Sequence, residues 1–235
     1  MTGKRQKSRD RDSVVVVEAL SVGIGGNVII EGLSFVVQRS AVVLLLGANG
    51  VGKSTLLRCI AGLVSVRKGK IRTGRNIGYV GHESMCYSEL TTEENLNFFM
   101  ELEGIKTPDL LGETLNKWNL QKYKGAQFSD LSKGVMNRVS MSRAFWGMKD
   151  LILLDEPTAS LDDQSTELLK AQISNYVSKN QEVGSPGAVI ISTHDIARLA
   201  DVATHSLTLH GGGSLDPYEL SDVATGIKRY REHNR

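Results

Sequence analysis

The chain has 235 residues, with 28 Lys plus Arg against 26 Asp plus Glu and a formal net charge of +2. That length can bury a substantial core, and 40% apolar with 23% charged residues excludes a disordered or collagen-like chain. Two cysteines, Cys59 and Cys86, make neither a disulfide framework nor a CxxC, which fits a reducing compartment.

Residues 1–12 carry five basic and two acidic side chains, and residues 228–235 carry four basic and one acidic. The body between them has 19 basic against 23 acidic side chains, so no nucleic-acid partner is expected. The opening MTGKRQKSRDRD lacks the apolar stretch of a signal peptide, and its aspartates argue against a transit peptide. Residues 1–13 are expected to form a disordered basic arm. The longest apolar run, Ala41–Leu46, is six residues, too short to cross a bilayer, so any membrane work falls to a partner.

In chain order, Val14–Leu20 predicts a strand, Gly23, Gly25, Gly26 and Asn27 a turn, and Val28–Val37 a second extended run broken at Glu31 and Gly32. Ala41–Leu46 is apolar on both faces, the pattern of a central strand in a parallel sheet, and it runs into GANGVGKST. A helix over Leu56–Ala61 follows, ended by Gly62, and Ile71 and Ile77–Val80 suggest further short strands. The period then changes. Thr91 and Glu94 form a capping box, Leu96, Phe99 and Met100 continue as a helix, and Pro108 suits the first turn of another that carries Leu111, Leu115 and Trp118. A third helix is expected over Lys133–Trp146, stopped by Gly147, which together gives a helical lobe at about residues 88–148.

Leu151–Leu154 is a second fully apolar strand ending at Asp155, Glu156 and Pro157. A helix over about Gln164–Lys179 and a loop at Gly184–Gly187 lead to a third such strand, Val189–Ser192, with His194 just beyond it. Ser206–Leu209 reads as one more strand, closed by Gly211, Gly212 and Gly213, and Tyr218–Val223 as a short helix before a basic end. The reading is thus a 14–215 α/β domain with the lobe inserted and a 216–235 tail.

Gly47-x-x-x-x-Gly52-Lys53-Ser54 fits the phosphate-loop pattern between a strand and a helix. Glycines 47, 50 and 52 let the backbone wrap so that its N–H groups face phosphate oxygens, and the following helix adds its positive end. Lys53 is expected on the β- and γ-phosphates and the Ser54 hydroxyl on Mg²⁺. Asp155 stands at the carboxyl end of a strand, where open α/β sheets place ligands, and can hold Mg²⁺. Glu156 can polarise the attacking water as general base, and His194 can donate to the γ-phosphate and steady Glu156. Ser132, in Leu131-Ser132-Lys133-Gly134, can cap a helix whose N-terminus is either free for an anion or simply capped; composition does not choose.

Together these residues resemble the nucleotide-binding domain of the ABC transporter family. Gly47, Ala48, Asn49, Gly50, Val51, Gly52, Lys53, Ser54 and Thr55 are similar to its Walker A loop, and LILLDE (151–156) to its Walker B strand. Residues 131–135 resemble its signature, Ser160-Leu161-Asp162 its D-loop, and His194 its switch histidine. The resemblance implies a P-loop sheet with an N-terminal antiparallel β portion and an inserted helical lobe, hydrolysing ATP with Mg²⁺. It also implies a head-to-tail homodimer, in which Ser132 and Gly134 of one copy meet the ATP of the other, attached to integral membrane subunits.

Three positions depart from the pattern. His82 stands where the family has a Gln that binds Mg²⁺, Lys133 and Val135 replace Gly and Gln in the signature, and Ile24 replaces the aromatic that stacks on adenine. EGLSF (31–35), YVGHE (79–83), ELTTEENLNFF (89–99) and LSKGVMNRVSMSRAF (131–145) resemble the ATP-binding subunits of the cytochrome c maturation haem exporter, which also carry a His at this position. That group implies a place on the cytoplasmic side of an inner membrane, or on the matrix or stromal side in an organelle. No CxxCH occurs, and direct haem binding is not expected.

Overall fold

A computed structural model describes residues 13–25, 27–182, 187–210 and 221–233. The basic arm at 1–12, the loop at 183–186 and the segment 211–220 lie outside the described residues.

Two sheets make the body. β1 (Ser13–Ile24), β2 (Asn27–Gln38) and β4 (Lys68–Thr73) form an antiparallel sheet in the order β2-β1-β4. β3 (Val42–Leu46), β5 (Ile77–Val80), β6 (Leu151–Asp155), β7 (Ala188–Ser192), β8 (His205–Thr208) and β9 (Ser221–Asp222) form the second, in the order β5-β6-β7-β3-β8-β9. All its pairs are parallel except β8 with β9.

The unbroken apolar runs arise because this sheet is covered on both faces. Val43, Leu45, Leu151, Leu153 and Ile190 pack toward α1 (Lys53–Ile60) and the antiparallel sheet. Their neighbours Val42, Leu44, Leu46, Ile152, Leu154 and Ile191 pack into a core shared with the helical lobe and α5 (Asp163–Glu182). Each such leucine taken fully out of water contributes about 1.5–3 kcal/mol. The break expected at Glu31 and Gly32 is not a break, since β2 runs through both residues, but the backbone is irregular there. Gly32 adopts φ 66°, after which Leu33, Phe35 and Val37 alternate inward.

The lobe contains α2 (Thr92–Leu102), α3 (Leu110–Lys117) and α4 (Lys133–Ala144). The Thr91–Glu94 capping box is formed in both directions, and Ser132 caps α4 through the Val135 amide. Pro108 does not enter the first turn of α3; Asp109, at φ 60°, holds the N-cap position without a side-chain hydrogen bond to the helix. α4 ends two residues earlier than expected because the indole of Trp146 turns inward to donate to Thr114 Oγ1 at 3.0 Å. The backbone before α2 and the backbone after α3 run side by side and close the base of that helix pair. Thr91 bridges Gln127, Phe128 N donates to Leu90 O at 2.9 Å, and Ser129 N donates to Ser88 O at 3.1 Å.

The tail differs from expectation. Of the short helix expected over Tyr218–Val223, residues 218–220 lie outside the described residues; Ser221 and Asp222 add a strand to β8, and α6 (Val223–His233) follows. A Cβ at Gly226 would collide with the Ser206 side chain, so the missing side chain lets α6 lie against β8. Ile227 and Tyr230 then reach the core. Among the described residues, no helix is long and apolar enough to cross a membrane.

Candidate functional site

Because β3, β6 and β7 are parallel neighbours, their carboxyl ends share one edge, and Gly47, Asp155 and Ser192 leave the sheet together. The loop after β3 is held open by geometry that only glycine tolerates. Gly47 (φ 153°) has no room for a Cβ, which would meet Val51 Cγ1 at 2.7 Å and the Leu209 carbonyl at 2.9 Å. Gly52 (φ 108°) packs under Ile29 and caps α1 with backbone alone. Lys53 opens α1 and is only 7% exposed, and its ammonium donates to the carbonyls of Gly47 at 2.9 Å and Ala48 at 3.3 Å. The charge is thereby fixed over the loop.

Across the groove, Glu156 follows Asp155 with φ 51°, a left-handed conformation that is unfavourable for a side chain of this kind. Its amide is held by Ser192, at 3.1 Å to the carbonyl and 3.0 Å to the hydroxyl. The turn sends the Glu156 carboxylate back toward the loop, 3.7 Å from the Lys53 ammonium. Nδ1 of His194 lies 2.8 Å from the other carboxylate oxygen, which also accepts from the His194 amide at 3.2 Å.

Asp155 accepts from Ser54 Oγ at 3.0 Å and from Ser192 Oγ at 2.5 Å, both on Oδ1. Its Oδ2 is buried and has no hydrogen-bond partner, although Nδ1 of His82 lies 3.5 Å away. An unpartnered buried carboxylate oxygen next to a hydroxyl and an imidazole is a donor set that fits a divalent cation. The structure brings Ser54, Asp155 and His82 together. A groove of about 420 Å³ runs over Asn49, Gly50, Gly52, Lys53, Ser54 and Thr55 to His82, Glu156 and His194. Val51 turns away into the core, and Ala48 contributes its carbonyl. The Ile24 side chain lies outside the described residues.

Ser132 and Gly134 do not line this groove. Ser132 is exposed at the start of α4, and Gly134 lies against the Ser160 carbonyl, where a Cβ would sit at 2.9 Å. A second cavity of about 340 Å³ separates them from Asp155 and Glu156, lined also by His82, Lys133, Met136 and Ser160.

Two contributors were not visible from motif reasoning. Ser192 holds both acidic residues, and its only sequence signal was its place at a strand end. Arg198 donates to the carbonyls of Thr158 at 3.1 Å and Leu161 at 3.0 Å, and to Asp163 at 2.9 Å, bracing the segment after Pro157. Asp162 caps α5 by accepting from the Ser165 amide at 2.7 Å, and this hydrogen bonding with Ser165 lowers its pKa.

Comparison with known proteins agrees with the geometry. The chain is 34% identical over 183 residues to the cytochrome c biogenesis ATP-binding export protein CcmA of Paracoccus denitrificans, covering 77% of this chain and 83% of that one. It is 29% identical over 212 residues to an ABC transporter ATP-binding protein of Methanocaldococcus jannaschii, covering 89% and 79%. Its fold matches a solved structure described as the ATP binding subunit of an ABC transporter, with TM-score 0.80, 24% identity and coverage of 94% and 98%. It also matches cbiO1 of Clostridium perfringens, part of the ABC transporter complex cbiONQ, with TM-score 0.72, 22% identity and coverage of 95% and 94%. With the ABC transporter family model matching residues 30–159 as well, the chain belongs to the ABC transporter family, as an ATP-binding subunit.

Proposed function

We propose that this chain is the ATP-hydrolysing subunit of a membrane ABC complex that serves cytochrome c maturation. The observation that carries the hydrolytic part is Glu156, held by Ser192 and His194 at the far side of the groove from the glycine loop and Lys53. The loop amides and Lys53 bind and orient the phosphates of ATP. Glu156 accepts the proton of the attacking water, and His194 keeps that carboxylate aimed and meets the terminal phosphate. When bound, Mg²⁺ would be held by Ser54, Asp155 and His82 and would neutralise charge on the phosphates.

The exposed Ser132 and half-buried Gly134, separated from the groove of their own chain, suit a head-to-tail homodimer in which each signature completes the partner copy's site. Closure on ATP and reopening after hydrolysis would then move attached integral membrane subunits. An apolar surface suits that attachment. Met85 is 71% and Leu102 70% exposed, flanking Tyr87 and Phe98, whose rings lie 5.0 Å apart. Four residues separate His82 from Tyr87, so the metal site and this surface share one loop. The basic ends and the lack of a spanning helix among the described residues suit a peripheral place on the cytoplasmic side of an inner membrane, or its matrix or stromal equivalent in an organelle.

Cytochrome c maturation rests on the CcmA relatives, of which those from Paracoccus and Xanthomonas are 33–34% identical over at least 75% of this chain. A second reading, an ATPase subunit for another cargo, is favoured by the Methanocaldococcus relative, which covers more of the chain. Two measurements test the proposal. Phosphate release from Mg·ATP should be abolished by Glu156→Gln with nucleotide still bound, and unchanged release would reject the assigned base. Affinity capture from detergent-solubilised membranes should bring down the membrane subunits of cytochrome c maturation; subunits of a different transporter would establish the second reading.

A further inference from the structure

The two oxygens of Asp155 have unlike surroundings. Oδ1 is saturated by two hydroxyls, whereas Oδ2 is buried without a hydrogen-bond partner and faces Nδ1 of His82 at 3.5 Å. The His82 ring is 62% exposed and lines both cavities, so it stands at the junction of the phosphate groove and the space under α4. A separation of 3.5 Å is long for a hydrogen bond. Neighbouring donors bound to one ion at about 2.1 Å lie about 3.0–3.4 Å apart, from octahedral to tetrahedral geometry. The His82–Asp155 pair is therefore spaced more like two ligands of one ion than like a donor and its acceptor.

We propose that the cation subsite of this groove has a nitrogen donor, Nδ1 of His82, and so takes a first-row transition ion such as Mn²⁺ or Co²⁺ in preference to Mg²⁺. Mg²⁺ is held by oxygen and keeps its waters, whereas a neutral imidazole offers a lone pair that suits the transition ions better. A hydroxyl, a carboxylate and an imidazole remain an incomplete shell. Among the described residues no group of three His, Cys, Asp or Glu could hold an ion unaided. The inference thus rests on the nucleotide reading above, with phosphate oxygens completing the shell.

The test uses the full chain with Mn²⁺ and ADP. Calorimetry follows nucleotide binding, and electron spin-echo spectroscopy of the bound Mn²⁺ reads directly coupled nitrogen. The expected result is a ¹⁴N modulation that is replaced by the ¹⁵N pattern when histidine is ¹⁵N-labelled, and is lost in His82→Gln. That variant should still bind ADP, with its Mn²⁺-over-Mg²⁺ affinity ratio reduced. Bound Mn·ADP without nitrogen coupling, or coupling that survives His82→Gln, overturns the proposal while leaving the nucleotide reading intact. Failure of the native chain to bind ADP at all overturns both. Because His82 is exposed, its replacement leaves the core untouched.

Discussion

The Ser192 hydroxyl donates to Oδ1 of Asp155 at 2.5 Å, and the two residues face each other in the register of β7 and β6. The same oxygen accepts the Glu156 amide, so one hydroxyl sets the position of both acidic residues. This serine touches neither phosphate nor water in the proposed chemistry and acts as a positioning residue.

Replacing Ser192 by Ala should therefore lower turnover more than it weakens ATP binding. Glu156 keeps the Ser192 carbonyl and Asp155 keeps Ser54, so the stability loss should be modest, about 1–2 kcal/mol. Steady-state phosphate release and urea unfolding measure the two effects. An effect on ATP affinity alone would reject the positioning role.

Glu156→Gln keeps the shape of the side chain and removes its basicity. Turnover should fall by about 10²–10⁴, the usual range for loss of general-base catalysis, with ATP still bound. Single-turnover kinetics with radiolabelled ATP separates the two quantities.

Gly47 and Gly50 should respond differently to alanine. A Cβ at Gly47 meets the Leu209 carbonyl, which is backbone and cannot give way, whereas Gly50 has open space and only its φ of 78° to defend. Gly47→Ala should abolish nucleotide binding. Gly50→Ala should cost about 1–2 kcal/mol, the penalty of a left-handed backbone, and retain measurable binding. Fluorescent-nucleotide titration of the two variants ranks them.

In the lobe, Thr91→Ala removes one half of a capping box and should destabilise the domain by about 1 kcal/mol. Hydrogen bonds from Thr91 hold the Glu94 pKa below the ordinary carboxylate range. A depressed folded value means that this stabilisation is present above the unfolded pKa of about 4.3 and is lost as pH falls through the folded one. The difference between native and variant in thermal unfolding should accordingly narrow in acid. A constant difference from neutral to strongly acidic pH would contradict it.

The sequence was most legible where one strand could be read by itself. Val42–Leu46, Leu151–Asp155 and Ala188–Ser192 are built on apolar runs because the sheet is covered on both sides, and the segment after each supplies residues of the groove. Ser192, Arg198 and α6 were not legible for a common reason. Their partners are distant in the chain: Asp155 for the serine, the carbonyls of Thr158 and Leu161 for the arginine, and β8 for the helix. A strand-ending serine, an arginine in a short turn and a basic tail give no local pattern that names such partners. His82 is intermediate. Its departure from the family pattern was visible, but its distance from Asp155 was not.

The α2–α3 pair begins and ends at two backbone segments hydrogen-bonded to each other, while the turn between the two helices, Gly104 to Asp109, is mostly exposed. A protease that cuts in this turn would leave two fragments still clasped by those paired segments and through the shared core. The nicked molecule should migrate as one species in native gels and as two under denaturation. The α2–α3 pair can therefore be opened for labelling, permutation or insertion at this turn without detaching it from the machinery it covers.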